Sequence, residues 1–254
     1  MQGIALSQYL LKLDPSAFAR ATQAPFLRAA GAGDLSKSTL SRWLSQDRLY
    51  AQTYIRFASL LLSKINLPTT RHLSGSRPPV SSLLVDCIIG ALNNVRRELR
   101  FFETVAEEYG LDLNHPWDES APRFGPTPIT RAYGDLFMSC AAPGTPVLHG
   151  MVALYGTEIC YLTSWLYAKG VSGETSKDND NGNDQSAFKK DQDGGALRTE
   201  FIPNWTNNEF QDFVDEIGSL MDKLAEKIGA EELRGCEEVW RQVLWIEERF
   251  WPEI

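Results

Sequence analysis

The sequence predicts an all-α protein, and three observations support this fold class. Apolar residues recur at intervals of three and four along most of the chain, which is the spacing of one helix face. Ser, Thr, Gly and Pro residues stand where such segments would start and end. The alternating Val- and Ile-rich segments typical of strands are not found. With 254 residues, 43% of them hydrophobic, the chain suits a single helical domain over 1–254.

The first two long helices have clear boundaries in the sequence. A helix is predicted over 37–66, because Ser and Thr residues open it and Pro68 follows its end. A turn at 31–34 separates this helix from a shorter N-terminal one. A second helix is predicted over 81–110, because serines open it, Gly110 ends it and apolar residues recur along one face.

The second half of the chain contains four further predicted helices and one long loop. The helices are predicted over about 130–140, 146–169, 207–229 and 231–251. The segment 170–197 holds almost no large apolar residues, so it cannot bury enough surface to offset the entropy lost on ordering. We therefore predict a mobile loop over 170–197. It is not a domain linker, since the helices on both sides are amphipathic and need partners.

Composition argues against several classes of partner. The net charge is −8 and no block of Lys and Arg residues is found, so nucleic acid is not expected as a partner. The four cysteines are dispersed without a CxxC pair, which indicates buried, reduced thiols rather than a zinc site or disulfides. Neither a secretory signal nor an apolar run of the ~20 residues that span a bilayer is found. We therefore expect a cytoplasmic protein without membrane contact.

Three acidic residues lie on the apolar faces of three predicted helices. Asp47, Glu158 and Glu247 are each spaced by three or four residues from apolar neighbours on both sides. The neighbours are Trp43, Tyr50, Tyr54 and Phe57 for Asp47, then Met151, Leu154, Tyr161 and Trp165 for Glu158, then Cys236, Trp240, Val243 and Phe250 for Glu247. We therefore predict that all three carboxylates turn inward, toward a buried pocket.

A buried carboxylate must be paired, hydrogen-bonded or neutralised. Each acid therefore has a structural interpretation, in which an Arg or a Tyr hydroxyl satisfies it. It also has a functional one, in which burial shifts its pKa for acid–base chemistry. Three such acids together favour the functional interpretation. We predict neither a metal nor a cofactor, because the three histidines do not complete a Glu-x-x-His motif and nucleotide-binding and Ser-hydrolase motifs are not found.

The helix that carries Asp47 resembles a helix of the TenA/thiaminase II family, which has the haem-oxygenase-like helical fold. The family pattern is an aromatic residue, a Gln-Asp pair and a Tyr three residues beyond the Asp. Here Trp43, Gln46, Asp47 and Tyr50 match it. Three later segments agree in order, and they are 130–133 with Tyr133, 201–210 with Trp205, and 247–251 with Glu247. The similarity covers roughly residues 20–251.

The resemblance implies a pocket that holds a 4-amino-2-methylpyrimidine. Asp47 would hydrogen-bond the aminopyrimidine edge, and Glu247 would be the general acid and base that protonates the leaving amine and activates water. The other residues implied in substrate binding are Tyr50, Tyr133, Tyr161 and Trp205. Trp205 is expected to stack on the pyrimidine ring.

One departure from the family pattern concerns the nucleophile. Thr163 stands where the bacterial type has a nucleophilic Cys before Trp-Leu-Tyr. Cys160 lies about 200° round the helix from Glu158, so it is expected to point away. Glu158, Tyr161 and Trp165 look like a second branch of the family, which lacks that Cys. In this branch Glu158 would bind substrate or activate water rather than form a covalent adduct.

These features together predict hydrolysis of an aminomethyl- or formylaminomethyl-pyrimidine to the hydroxymethyl-pyrimidine, a step in thiamin salvage. The alternative is a non-catalytic member of the fold that binds a small heterocycle or a protein partner. A haem- or PQQ-related enzyme is a third interpretation, but haem oxygenase chemistry would need a proximal His on an early helix, and no His precedes His72. The family's habit of pairing and loop aromatics such as Trp117 also predict a homodimer or homotetramer.

Overall fold

The computed structural model describes residues 4–70, 78–118, 123–176 and 188–254. Within these ranges the chain forms helices and no strand. The α-helices are α1 (Leu6–Leu13), α2 (Pro15–Thr22), α3 (Pro25–Ala32), α4 (Lys37–Ser63), α5 (Val80–Tyr109), α6 (Pro128–Ala141), α7 (Val147–Ser176), α8 (Ile202–Trp205), α9 (Asn208–Leu224) and α10 (Ala230–Phe250). A π-helix (Leu197–Phe201) precedes α8, and a 3₁₀-helix (Ala225–Lys227) follows α9.

The N-terminal part contains three short helices, where the sequence predicted one ahead of the first long helix. Pro15 and Pro25 occupy the first turns of α2 and α3, where a backbone N–H has no helical acceptor in any case. Gly33 ends α3 with a φ of 80°, in the left-handed region that favours glycine. α4 then starts as predicted from its Ser/Thr cluster, since the Ser36 hydroxyl accepts a hydrogen bond from the Thr39 N–H.

α7 is the central helix of the bundle. It packs against α2, α3, α6, α8, α9 and α10. Residues 151–154 are fully buried, so every side of this part of the helix faces protein, as expected where a helix is hydrophobic all round. The crossing of α3 and α7 is close because residue 31 of α3 is a glycine. A Cβ at Gly31 would overlap the carbonyl oxygen of Ala168 in α7.

The prediction of a mobile loop over 170–197 is wrong for the N-terminal part of this segment. α7 continues through this part of the segment as far as Ser176. Val171 lies directly beside Gly31, so the crossing with α3 extends past the predicted end of the helix. Packing against α3 therefore orders residues whose composition alone predicted mobility. Residues 177–187 of the predicted loop lie outside the described residues.

The prediction of a mobile loop is also wrong for the C-terminal part of this segment, over 188–197. Ala196 and Leu197 are buried. The carboxylate of Asp193 is buried as well, and it accepts hydrogen bonds from the N–H groups of Gly195 and Leu197 at 2.8 and 2.7 Å. An acidic side chain that bonds its own backbone makes a compact turn without a large apolar residue.

Aromatic side chains fill one side of the bundle, between α4, α6, α7 and α10. The ring of Trp43 contacts that of Trp165, with centroids 5.4 Å apart, and Phe57 stacks on Phe137 at 4.4 Å. On the other side, α4, α5, α7 and the α8–α9 segment leave a cavity between them. Among the described helices, none combines the length and the apolar character that crossing a membrane requires.

Candidate active site

The cavity has a volume of about 250 Å³. Three carboxyl groups contribute to its interior wall, Asp47 from α4, Glu98 from α5 and Glu158 from α7, and a fourth, Glu209 from α9, is largely exposed. Its aromatic lining consists of Tyr50, Tyr54, Phe101, Tyr161, Trp205, Phe210 and Phe213. The volume lies below the roughly 300–1,000 Å³ typical of pockets for drug-sized ligands, so the cavity fits a small ligand such as a single substituted ring.

Asp47 faces the cavity from α4, and only 3% of its surface is exposed. The hydroxyl of Tyr161 donates a hydrogen bond to Asp47 Oδ2 at 3.1 Å. Burial raises the pKa of Asp47 well above its usual value, and the negative charge of Glu98 raises it further, while the Tyr161 hydrogen bond opposes this increase. The predicted inward orientation of Asp47 is confirmed.

Glu158 faces the same cavity from α7, and its inward orientation is also confirmed. The hydroxyl of Tyr54 interacts with its carboxyl group. Burial raises the pKa of Glu158 to about 8, with a further increase from Glu98 and an opposing effect of Tyr54. A carboxyl group with this pKa keeps its proton near neutral pH, so it can serve as a proton donor.

Glu98 is a further acid of the cavity, half-buried, and it was not predicted from the sequence. The indole Nε1 of Trp205 donates a hydrogen bond to Glu98 Oε1 at 2.6 Å. Burial raises the pKa of Glu98 to about 7, while the Trp205 hydrogen bond and the charge of Arg97 oppose the increase. A signal was available in the sequence, because Glu98 shares a helix face with the buried residues Val95 and Phe102.

Glu247 is buried as predicted, with 3% of its surface exposed, but it does not line the cavity. Its carboxyl group interacts with the hydroxyl of Tyr133. Burial raises the pKa of Glu247 to about 8, Tyr133 opposes the increase, and Glu158 adds to it. Tyr133 packs edge-on against the cavity residue Tyr50, with ring centroids 4.8 Å apart. Tyr133 is therefore in contact with a residue of the cavity lining, although neither Tyr133 nor Glu247 lines the cavity itself.

Polar side chains surround the mouth of the cavity. Arg97 of α5 forms an ion pair with Glu209 of α9 at 2.8 Å, and both side chains are 63% exposed. Among the described lining residues Arg97 is the one cation, and Glu209 already pairs with it. The interior of the cavity is therefore acidic, and it disfavours an anionic ligand.

Residues 18–254 match the model of the TENA/THI-4/PQQC family. The chain belongs to this family. A protein of Fusarium pseudograminearum (strain CS3096), described as a probable transcription factor, is 28% identical over 98% of this chain. The alignment covers 52% of that protein, so the chain spans about half of its length. A protein of Glycine max, described as a probable bifunctional TENA-E protein, is 20% identical over 98% of this chain and 92% of its own length.

A solved structure shows the same fold in another TenA homologue. The protein from Pyrococcus furiosus is 24% identical, with a TM-score of 0.71 over 97% of this chain and 98% of its own. This likeness confirms the prediction of an all-α, haem-oxygenase-like bundle. It also agrees with the match to the TENA/THI-4/PQQC family, which extends from α2 to the end of the chain.

The cavity brings together most of the site residues that the resemblance to TenA proteins implied. Asp47, Tyr50, Glu158, Tyr161 and Trp205 line it, whereas Tyr133 and Glu247 do not. Within the described ranges, His, Cys, Asp and Glu side chains do not form a group of three or more that could hold a metal ion.

Trp205 has little free ring surface. The side chain is 2% exposed, and the rings of Phe201 and Trp165 pack against it with centroids 4.9 and 4.4 Å away and interplanar angles of 22° and 32°. Its contribution to the cavity in this family member is the Nε1 hydrogen bond to Glu98. Trp205 thus has a hydrogen-bonding role in the cavity wall, and its stacking on a ligand stays a prediction.

Cys160 does not line the cavity, in agreement with the predicted helical phase. The side chain is fully buried. Burial raises the pKa of the Cys160 thiol well above its usual value, and the charge of Glu247 raises it further. A thiol of this kind is a poor nucleophile because it stays protonated.

Proposed function

We propose that the protein hydrolyses the C–N bond of an aminomethyl- or formylaminomethyl-pyrimidine and forms the hydroxymethyl-pyrimidine, a step in thiamin salvage. The observation that carries this proposal is a small cavity with three carboxyl groups in its wall, each held by an aromatic donor. Membership in the TENA/THI-4/PQQC family and the similarity to a Glycine max protein described as TENA-E support it.

Asp47 is proposed to recognise the aminopyrimidine edge. An exocyclic amine is a hydrogen-bond donor, and a carboxyl group can accept from it while it shares a proton with the adjacent ring nitrogen. Tyr161 holds Oδ2 of Asp47, which restricts the carboxyl group to one orientation. Tyr50 and Phe210 line the same cavity and provide apolar contacts to the ring.

Glu158 is proposed as the proton donor to the leaving nitrogen. For the aminomethyl substrate, water oxygen bonds to the methylene carbon as the C–N bond breaks, the nitrogen takes a proton from Glu158 and leaves as ammonia, and the water loses a proton to a carboxylate. The sum is aminomethyl-pyrimidine plus water giving hydroxymethyl-pyrimidine plus ammonia. Glu158 fits the donor role because it lines the cavity and its pKa is raised to about 8.

Glu247 was expected to be the general acid and base, and its position favours a different assignment. It does not line the cavity, so we propose that it acts on the reaction through Glu158 rather than by direct contact with the substrate. The two carboxyl groups are coupled, since the charge of Glu158 raises the pKa of Glu247. Each therefore disfavours the ionisation of the other, and this keeps a proton available on Glu158.

The proposed substrates are unphosphorylated. A phosphate group would enter a cavity that already holds three carboxyl groups, and its only described lining cation is paired with Glu209. A phosphate would repel any of these carboxyl groups that is ionised, and in a poorly solvated site this repulsion is strong. We therefore expect a neutral or cationic pyrimidine to bind more tightly than its phosphate ester.

Turnover assays test the proposed function. The full chain is incubated with 5-aminomethyl- and 5-formylaminomethyl-4-amino-2-methylpyrimidine, and the hydroxymethyl product is measured by chromatography. We expect product from the wild type and from a control, Glu238→Gln, whose side chain is exposed on α10. Binding without product, with the same affinity in Glu158→Gln and Glu247→Gln, would instead establish the non-catalytic alternative.

We also propose self-association as a homodimer or homotetramer. Large apolar side chains remain exposed at Leu60, Ile89 and Trp245, and a second copy of the chain would cover such surface. Light scattering measures the mass in solution directly. A monomer at all concentrations would remove this proposal without affecting the proposed reaction.

A further inference from the structure

We propose that Glu98 is a catalytic residue, the general base that takes the proton from the attacking water while Glu158 donates a proton to the leaving nitrogen. This inference rests on the proposed hydrolase function and names the carboxylate that the reaction needs as an acceptor. Glu98 and Glu158 line the same cavity from α5 and α7, so both can contact one small ligand.

The hydrogen-bond partners of the two acids are chemically different. The indole N–H of Trp205 is a donor only, so it requires an acceptor oxygen and stabilises Glu98 as a carboxylate. The Tyr54 hydroxyl can donate or accept, so it can accompany Glu158 in either protonation state. Trp205 therefore favours an ionised Glu98, whereas Tyr54 is compatible with the proton that burial keeps on Glu158.

The positive charge of Arg97, which precedes Glu98 on α5, also favours its ionised form. The other titratable groups among the described lining residues are acids and phenols, whose negative charge opposes ionisation of Glu98. They are Asp47, Tyr50 and Tyr54 on α4, Glu158 and Tyr161 on α7, and Glu209 on α9. Burial raises the pKa of Glu98 to about 7 and that of Glu158 to about 8, so Glu98 ionises first. Both pKa values are raised toward neutral pH, where one carboxyl group can act as the base while the other holds a proton.

The proton transfers balance over one turnover. The water O–H bond breaks and its proton moves to a carboxylate oxygen of Glu98. The remaining oxygen bonds to the methylene carbon, the C–N bond breaks, and the leaving nitrogen takes the proton of Glu158. After product release Glu98 loses its proton to solvent and Glu158 regains one, so the protein returns to its starting state without a further reactant.

The first test is Glu98→Gln, which keeps the shape and removes the base. We expect kcat to fall by about 10²-fold or more, the magnitude of general base catalysis, while KM for the aminomethyl-pyrimidine changes by no more than a few-fold. The matched control is Glu103→Gln, an exposed acid on the same helix, which should leave both values unchanged. Far-UV circular dichroism and a melting curve establish that each variant is folded.

The second test uses the neighbours of Glu98 and the pH profile of kcat/KM. Activity should rise with pH as Glu98 ionises. Trp205→Phe keeps a ring but removes the N–H, so the pKa of Glu98 should increase and the rising limb should move to higher pH by roughly one unit. Arg97→Gln, at an exposed position, should move the limb in the same direction. A merely structural role for Trp205 or Arg97 would lower activity or stability without moving this limb.

The outcomes separate this inference from the proposed function. If the wild type forms no hydroxymethyl-pyrimidine from either substrate, both are wrong. If the wild type turns over and Glu98→Gln keeps its kcat, or the rising limb stays in place in Trp205→Phe and Arg97→Gln, Glu98 is not the base and the hydrolase function remains. If Glu98→Gln fails to fold, the pH profiles of the two neighbour variants decide.

Discussion

Carboxyl groups are buried on two sides of this bundle, and the two sides differ in whether the groups reach an open cavity. On the cavity side, Asp47, Glu98 and Glu158 each contact an aromatic donor and also open space. On the aromatic side, Glu247 interacts with Tyr133, which packs against the ring of Tyr50. Burial raises the pKa of an acid on both sides. A raised pKa thus marks an acid that is removed from water, and only access to a cavity distinguishes the acids that can contact a substrate.

The largest expected effect is a difference in kcat between a variant on the cavity side and a variant on the aromatic side. We expect Glu158→Gln to lower kcat by about 10²–10⁴-fold, because it removes a proton donor at the substrate. Glu247→Gln should lower kcat by at most about tenfold, equivalent to about 1.4 kcal/mol, because it alters only the charge near Glu158. Steady-state kinetics with the aminomethyl-pyrimidine give both values, and Glu238→Gln on α10 is the control.

An effect of Glu247→Gln as large as that of Glu158→Gln would contradict this difference. It would mean that Tyr50 moves when substrate binds and that the Tyr133–Glu247 pair then contacts the reacting atoms. Tyr50→Phe keeps the ring and would remain active in that case, whereas Tyr133→Phe would lose the partner of Glu247 and show a changed pH profile.

The fold was predictable from the sequence to a large extent, and the exceptions have physical causes. Ser36 and Gly110 mark helix ends with side-chain and left-handed caps, both of which follow from residue type. The predicted loop failed at 170–176 and 188–197, because a helix crossing and a turn closed by Asp193 order these residues. Such contacts come from partners distant in the sequence or from small polar residues, and the amino-acid composition of a segment does not predict them.

The candidate site was predictable only in part, for a reason that concerns helix faces. Asp47, Glu158 and Glu247 interrupt apolar stripes, so their orientation followed from spacing. Glu98 escaped notice because its neighbour Leu99 is also buried and continues an apolar stripe of its own. Access to the cavity was beyond prediction altogether, since the position of the Tyr50 ring depends on how α4 and α6 pack.

The second-largest expected effect is a pH dependence of the free energy of unfolding, caused by Glu247 on the aromatic side. The pKa of Glu247 is about 8 in the folded protein, against a usual value of 4.5. Between these values the folded protein holds a proton that the unfolded chain has lost, so the free energy of unfolding falls as pH rises. The contribution is fully present below the usual value and is lost by about pH 8, with a slope of up to about 1.4 kcal/mol per pH unit.

Urea unfolding between pH 5 and pH 8.5 measures this slope. Glu247→Gln keeps a hydrogen-bonding side chain beside Tyr133 but cannot titrate, so its free energy of unfolding should depend less on pH than that of the wild type. The control Glu238→Gln should retain the wild-type slope, because its side chain is exposed on the same helix. Parallel curves for Glu247→Gln and the wild type would show that this carboxyl group is ionised in the folded protein.

The smallest expected effect concerns Cys160, which lies on α7 but outside the cavity lining. We expect Cys160→Ser to leave kcat within about twofold of the wild type, because a buried thiol that stays protonated supplies neither a nucleophile nor a base. A modest loss of stability is expected, because the hydroxyl is more polar than the thiol in a fully buried position. A thiol-alkylating reagent should likewise leave the turnover of the native protein unchanged. If Cys160→Ser abolished turnover in a folded protein, the side chain would have to reach the substrate, and the division between an open catalytic side and a closed structural side would fail at α7, the helix that both sides share.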